Sequence, residues 1–261
     1  MPPITVFCPF TRLEYMDRWF DDLASTDLNP STTDLAFIVD CKNPKIYERI
    51  KHEMEQTTYH KWAVIRNYDH EFVNQVNINI RRKRIAFVHN QSKELISSLD
   101  GQYVLGLEDD TVFTNLSVQR LFEKQQYDQV GMVTAYEAGR WNKKYIGVWD
   151  FDNATNPTEC WTMLPRTGFE PITAAGFYCY VTPTHLYLAH DYHSEDWQPW
   201  GPDVNYGLWL SEHGYTNYVD WNQPCGHHSG DIIITPNSDL SSEYYVRVDD
   251  INNIPAWQVK K

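Results

Sequence analysis

The chain has 261 residues, 42% of them hydrophobic and 22% charged, and its 35 acidic against 22 basic side chains give a formal net charge of −13. This composition excludes disorder, collagen and coiled coil, and the length supports a core without disulfide staples. The acidic field disfavours non-specific binding to nucleic acid or anionic membranes, and no apolar run approaches the ~18 residues that span a bilayer.

Short apolar runs alternate with helical patterns, which predicts an α/β architecture without an obvious seam. The start, Met1-Pro-Pro-Ile-Thr-Val-Phe-Cys8, lacks the basic and apolar regions of a secretory signal. Strands are expected at Ile4–Phe7, Leu35–Val39, Trp62–Ile65, Tyr103–Leu107, Val130–Thr134 and Phe177–Val181. Between them, Leu13, Met16, Phe20 and Leu23 recur at helical spacing, as do Ile46, Ile50 and Met54 behind Pro44. A further helix is expected from Ile80 to Leu99, and another from Asp203, as N-cap, to Glu212. From Trp141 to Pro171 the pattern dissolves into Asn, Pro, Thr and Trp, which reads as irregular structure. Beyond Gly230 the pattern says little.

Cys8, Cys41, Cys160, Cys179 and Cys225 are odd in number and form no C-x-x-C pair, which fits a reducing, cytoplasmic setting. The three N-x-S/T sequons at Asn90, Asn115 and Asn153 are then chance. Aromatic residues reach 15%, with 10 Trp and 17 Tyr, and serve equally as core or as stacking surface for sugars and bases.

The strongest chemical signal follows the strand Tyr103–Leu107, where Glu108, Asp109 and Asp110 emerge together. Open α/β sheets bind ligands beyond the carboxyl ends of their strands. Three carboxylates at one strand tip repel each other unless a cation joins them, and carboxylate oxygens suit Mg²⁺ or Mn²⁺. A solvated acidic turn that merely stops the strand would look the same.

At these residues the chain resembles the GT-A type nucleotide-sugar glycosyltransferases, especially those related to family 2. In that family an apolar strand ends in a D-x-D or D-D-D motif that holds the metal and the nucleotide diphosphate. Here the triplet opens with Glu108 instead of Asp. The resemblance implies Asp110 as a metal ligand, with Glu108 and Asp109 on the donor. Val6-Phe-Cys-Pro-Phe-Thr-Arg12 is similar to the family's first strand and base-cradling loop, implying donor contacts from Pro9, Thr11 and Arg12. Phe37-Ile-Val-Asp40 resembles the second strand with its base-contacting Asp, and Arg84–Asn90 the segment ahead of the metal motif, implying Asp40 and Arg84.

Two later motifs extend the resemblance. Trp200-Gly-Pro-Asp203 is similar to the segment whose acid, at a helix start, deprotonates the acceptor hydroxyl. Direct displacement needs such a base, because a neutral alcohol is a poor nucleophile. Cys225-Gly-His227-His228 resembles a C-G-H ending in which a histidine completes the metal site, implying His227 with His228 as the alternative. Imidazole beside carboxylate favours Mn²⁺ over Mg²⁺.

The resemblance thus implies a single GT-A (Rossmann-like) domain over residues 1–261, with a mixed, mainly parallel sheet flanked by helices. A nucleotide-sugar half would span about 1–113, an acceptor half about 114–230, and a C-terminal extension 231–261. The implied reaction is hexosyl transfer with inversion, from a donor such as a UDP-sugar to an acceptor hydroxyl. Competing readings are a metal-dependent hydrolase or nucleotidyltransferase, a viral-type enzyme that glycosylates hydroxymethylated DNA bases, and a non-catalytic sugar or nucleotide-sugar binder. Arg81-Arg-Lys-Arg84 is the one basic run, and with Lys143-Lys144 could form a nucleic-acid face. Asp191–Trp200 is the expected acceptor loop, with Glu195 and Asp196 as reserve bases, and Ala174-Ala-Gly176 makes room for the donor sugar.

Overall fold

A computed structural model describes residues 1–67, 77–137, 147–149, 167–196, 200–229, 232–236 and 243–247. The chain opens with strands and helices in alternation: β1 (Ile4–Phe10), α1 (Met16–Ala24), β2 (Thr33–Val39), α2 (Pro44–Gln56), β3 (Lys61–Arg66), α3 (Ile78–Ser97) and β4 (Tyr103–Leu107). Then come β5 (Thr111–Val112), α4 (Asn115–Gln125), β6 (Val130–Glu137), β7 (Val148–Trp149), β8 (Phe169–Ile172) and β9 (Ala174–Ala175). The rest are β10 (Cys179–Pro183), α5 (Thr184–Ala189), α6 (Pro202–Glu212), β11 (Thr216–Ser229), β12 (Ile232–Pro236) and β13 (Glu243–Arg247).

The main sheet has the order β13-β12-β11-β6-β10-β4-β1-β2-β3, with β5 and β8 also on β11. From β11 to β3 the strands run one way except β10, which is antiparallel to both neighbours. The expected mixed, mainly parallel sheet is therefore present.

Covered on both faces, β2 is buried at all seven positions, which is why it reads as an unbroken apolar run. Alternation along β1 sends Val6, Cys8 and Phe10 to a core with α1 and α2, and Phe7 to a second core containing Val88, Ile96 and Tyr180. Local chemistry starts the helices where it should. Asn43 accepts from Lys45 N, 3.1 Å, ahead of Pro44, and Ile46, Ile50 and Met54 face inward.

Several expectations need correction. β1 continues to Phe10 and β6 to Glu137, because pairing with neighbours holds the backbone extended past the apolar runs. α6 begins at Pro202, whose fixed φ suits the first turn, so Gly201 is the N-cap and Asp203 is not. β7 and most of β8 lie within the stretch expected to be irregular, held by pairing with β9 and β11. Residues 138–146 and 150–166, with Lys143-Lys144, Asn153 and Cys160, lie outside the described residues, as does Trp197. After Gly230 the chain adds β12 and β13, antiparallel, to the sheet edge. Among the described residues no helix is long and apolar enough to cross a membrane.

Candidate active site

The site forms where β4 stops. Glu108 N donates to Tyr178 O at 3.1 Å, and Thr111 N closes a turn onto Glu108 O at 3.2 Å. The chain then enters β5, which pairs with β11 in the register Thr111 with His227 and Val112 with Gly226. That register delivers a histidine from 117 residues downstream to the acid turn. His228 N also donates to Asp110 O, 2.8 Å, which locks the two segments together.

Neighbouring strand residues point to opposite faces, and this separates the two histidines. His227 Nε2 lies 3.0 Å from Asp110 Oδ2, and its Nδ1 lies 3.0 Å from Glu137 Oε2. His228 turns the other way and stacks on Tyr15, with ring centroids 4.3 Å apart. Burial works to lower the His227 pKa, but Glu137 and Asp110 overcome it and push it up to about 10. Desolvation pushes His228 down to about 4.

Glu108, Asp110 and His227 each bring one ligand atom within 4.8 Å of the other two. Two carboxylates and an imidazole from separate segments form a donor set that fits a divalent ion such as Mn²⁺. Asp109 takes a different part. Its Oδ2 accepts from Thr11 N (2.7 Å), Thr11 Oγ1 (2.9 Å) and Arg12 N (2.9 Å), and its Oδ1 accepts from Arg12 Nη2 at 2.6 Å. A second guanidinium nitrogen of Arg12 bonds Asp110 Oδ2. Arg12 thus compensates two buried acids; burial opposes its charge, yet Asp109 and Asp110 raise its pKa.

Beside this cluster lies a cavity of about 290 Å³. Pro9, Thr11, Arg12, Asp40, Arg84, Glu108 and Asp109 all line it, together with apolar Phe7, Val88, Phe177 and Tyr180. Arg84 Nε holds Asp40 Oδ2 at 2.5 Å. Gly106 permits the cavity's shape: a Cβ there would sit 2.2 Å from the Tyr180 ring.

Asp203 is not among the lining residues but stands next to them. A Cβ on Gly176, the neighbour of cavity-lining Phe177, would lie 3.8 Å from Asp203 Oδ2. Desolvation raises the Asp203 pKa, against the backbone N–H groups of Val204 and of Asp203 itself and the charge of Arg82. The basic run turns to this region. Arg81 lines the cavity, Arg84 holds Asp40, and Lys83 pairs with Asp196 at 2.9 Å.

A second group, Asp34, His60 and Asp100, lies at the other end of the strands. There Lys61 Nζ already supplies a positive charge 2.6 Å from Asp100, and Asp34 caps Asp100 N at 2.7 Å, so the group knots three chain segments together.

No protein-family model matches the sequence, and no curated protein matches it. Solved structures do match in shape. The GalNAc-T7 structure with UDP, GalNAc and Mn²⁺ superposes with a TM-score of 0.59 at 12% identity, covering 87% of this chain and 44% of that one. Mannosyltransferase PcManGT from Pyrobaculum calidifontis, in complex with GDP-Man and Mn²⁺, gives 0.57 at 10% identity, covering 84% and 56%. The chain has a GT-A fold. A197 from STIV gives 0.51 at 10% identity and matches nearly end to end, covering 95% of this chain and 94% of that one. The chain therefore spans about half the length of these two glycosyltransferases but nearly all of A197.

Reading the sequence missed Glu137. Its signal was the one that marked Glu108, an acid at the carboxyl end of a buried strand, hidden because β6 was expected to stop at Thr134.

Proposed function

We propose that this chain is a metal-dependent glycosyltransferase that moves a sugar from a nucleotide-sugar donor to an acceptor hydroxyl with inversion. The observation that carries the reading is that Glu108 belongs both to the Glu108–Asp110–His227 cluster and to the wall of the cavity. A diphosphate reaching from the cavity would meet the metal ligands. When bound there, Mn²⁺ would neutralise the diphosphate and act as a Lewis acid for the leaving nucleotide.

The chain's own residues do the rest. Asp40 and Arg84 contact the base, while Pro9, Thr11 and Arg12 form the loop against it, stiffened from beneath by Asp109. Phe7, Phe177 and Tyr180 exclude water from the cavity floor, which strengthens each polar contact above it. Asp203, its pKa raised by burial, takes the proton of the acceptor hydroxyl as the new bond forms. Residues 1–113 supply most of the donor site and 114–230 the base, with Phe177, Tyr180 and His227 crossing between them. A hexose donor such as a UDP-sugar fits the class of ligand bound in the structural neighbours. The free thiols Cys8, Cys41, Cys179 and Cys225 support a reducing, cytoplasmic setting.

The test is a panel of nucleotide sugars, with and without Mn²⁺, read by released nucleoside diphosphate, alongside calorimetry of UDP and GDP. Mn²⁺ should tighten binding of the cognate diphosphate, and Asp110→Asn should abolish that coupling. Equal affinity of both nucleotides with and without Mn²⁺ would reject the reading.

A further inference from the structure

Glu137 ends β6 and takes no part in the chemistry just described. It is 8% exposed, and burying a carboxylate is costly unless a partner repays it. The partner is His227: Glu137 Oε2 lies 3.0 Å from Nδ1, while Nε2 lies 3.0 Å from Asp110 on the other side. The ring is clamped between two acids, one from the turn after β4 and one from the end of β6.

The register explains the clamp. β6 and β11 run parallel with Glu137 opposite Cys225, two residues before His227 and on the same face. The β5 pairing fixes His227 from its other side, opposite Thr111. An imidazole can give a metal only a nitrogen that carries no proton, and the partner of the other nitrogen decides where the proton sits. A carboxylate 3.0 Å from Nδ1 favours a proton on that nitrogen, so the proton that a metal ion displaces is the one on Nε2, which faces Asp110.

We propose that Glu137 is a positioning residue, which sets the tautomer and ring orientation of His227 so that Nε2 completes the metal site. This rests on Glu108, Asp110 and His227 being the metal ligands. Mn²⁺ is titrated into the full chain in the presence of UDP, for wild type, Glu137→Gln and Glu137→Ala, with melting followed in parallel. The glutamine amide oxygen still accepts the Nδ1 proton, so Glu137→Gln should keep most of the affinity, whereas Glu137→Ala should lose about 10–100-fold. Cadmium NMR of isotopically labelled wild-type protein adds a readout that mere structural support would not move: coupling should appear to Nε2 of His227 and not to Nδ1.

Coupling to Nδ1 would overturn the proposal, whether or not Glu137→Ala folds. Unchanged Mn²⁺ affinity in a folded Glu137→Ala would also overturn it, as would equal loss in both variants, since charge instead of orientation would then be what matters. Wild-type protein that binds no Mn²⁺ would instead reject the underlying metal reading, and this inference with it.

Discussion

Replacing Arg12 with alanine removes the side chain that compensates two acids in the interior. Asp109 and Asp110 are 2% and 0% exposed, and Arg12 reaches both through separate nitrogens. Breaking a buried pair by deleting one partner costs about 3–5 kcal/mol, because the other charge stays buried. Arg12 is itself 30% exposed, so water screens part of this interaction, and about 2–3 kcal/mol is the reasonable expectation. The backbone N–H groups of Thr11 and residue 12 survive the substitution and keep Asp109 partly satisfied. For a chain of this size each kcal/mol moves Tm by about 2–4 °C, so Arg12→Ala should melt about 5–10 °C below wild type in a chelator. Mn²⁺ should restore more than it adds to wild type, because the ion and the guanidinium both answer Asp110. A ligand at about 100 times its Kd stabilises by about 2.7 kcal/mol, which is enough to recover most of the loss. The assay is scanning calorimetry of both proteins with chelator and with excess Mn²⁺. Equal melting in chelator, or an equal Mn²⁺ increment in both proteins, would refute this account of the cluster.

Asp203→Asn should keep native melting, since Gly201 is the helix cap, while kcat falls by about 10²–10⁴; near-native turnover would move the base to another acid such as Glu195. His89, buried against Tyr187 and pushed by desolvation down to about 3, refuses a proton that the unfolded chain accepts near pH 6.5. Stability should therefore fall as pH drops from 6.5 towards 3, and denaturant unfolding should show His89→Gln losing less than wild type, by up to about 2 kcal/mol at about pH 5. Gly106→Ala drives a Cβ into the Tyr180 ring, so it should cost about 1–3 kcal/mol and weaken nucleotide binding; native melting with native UDP affinity would contradict the packing at the cavity floor.

Much of the fold was legible because its central strands are buried on both faces. Leu35–Val39 and Tyr103–Leu107 need continuous apolar runs to sit between helix layers, and such runs stand out in a polar chain. The end of the second run marks the acid turn, since a buried carboxylate needs partners and the strand's end is where neighbouring segments supply them. Strand ends were less legible. β1 to Phe10 and β6 to Glu137 are extended by hydrogen bonds to neighbours, which carry no local signature. Asp203 and Pro202 are both strong N-terminal signals, and the helix starts at Pro202, whose φ is already set, instead of at the expected Asp203.

What the sequence by itself determined is the chemistry available at the carboxyl ends of its strands: three acids after β4, an arginine after β1, an aspartate after β2, and a histidine pair far downstream. Which of these meet was decided by strand register. His227 and His228 are equivalent as letters, and only the pairing of β5 with β11 turns one towards Asp110 and the other onto Tyr15. Asp109 and Asp110 are adjacent and identical, yet the turn sends one to the β1 loop and the other to His227. Side-chain direction in an extended chain alternates residue by residue, so a one-residue change in register exchanges every such role, and register is a property of pairing between segments more than a hundred residues apart.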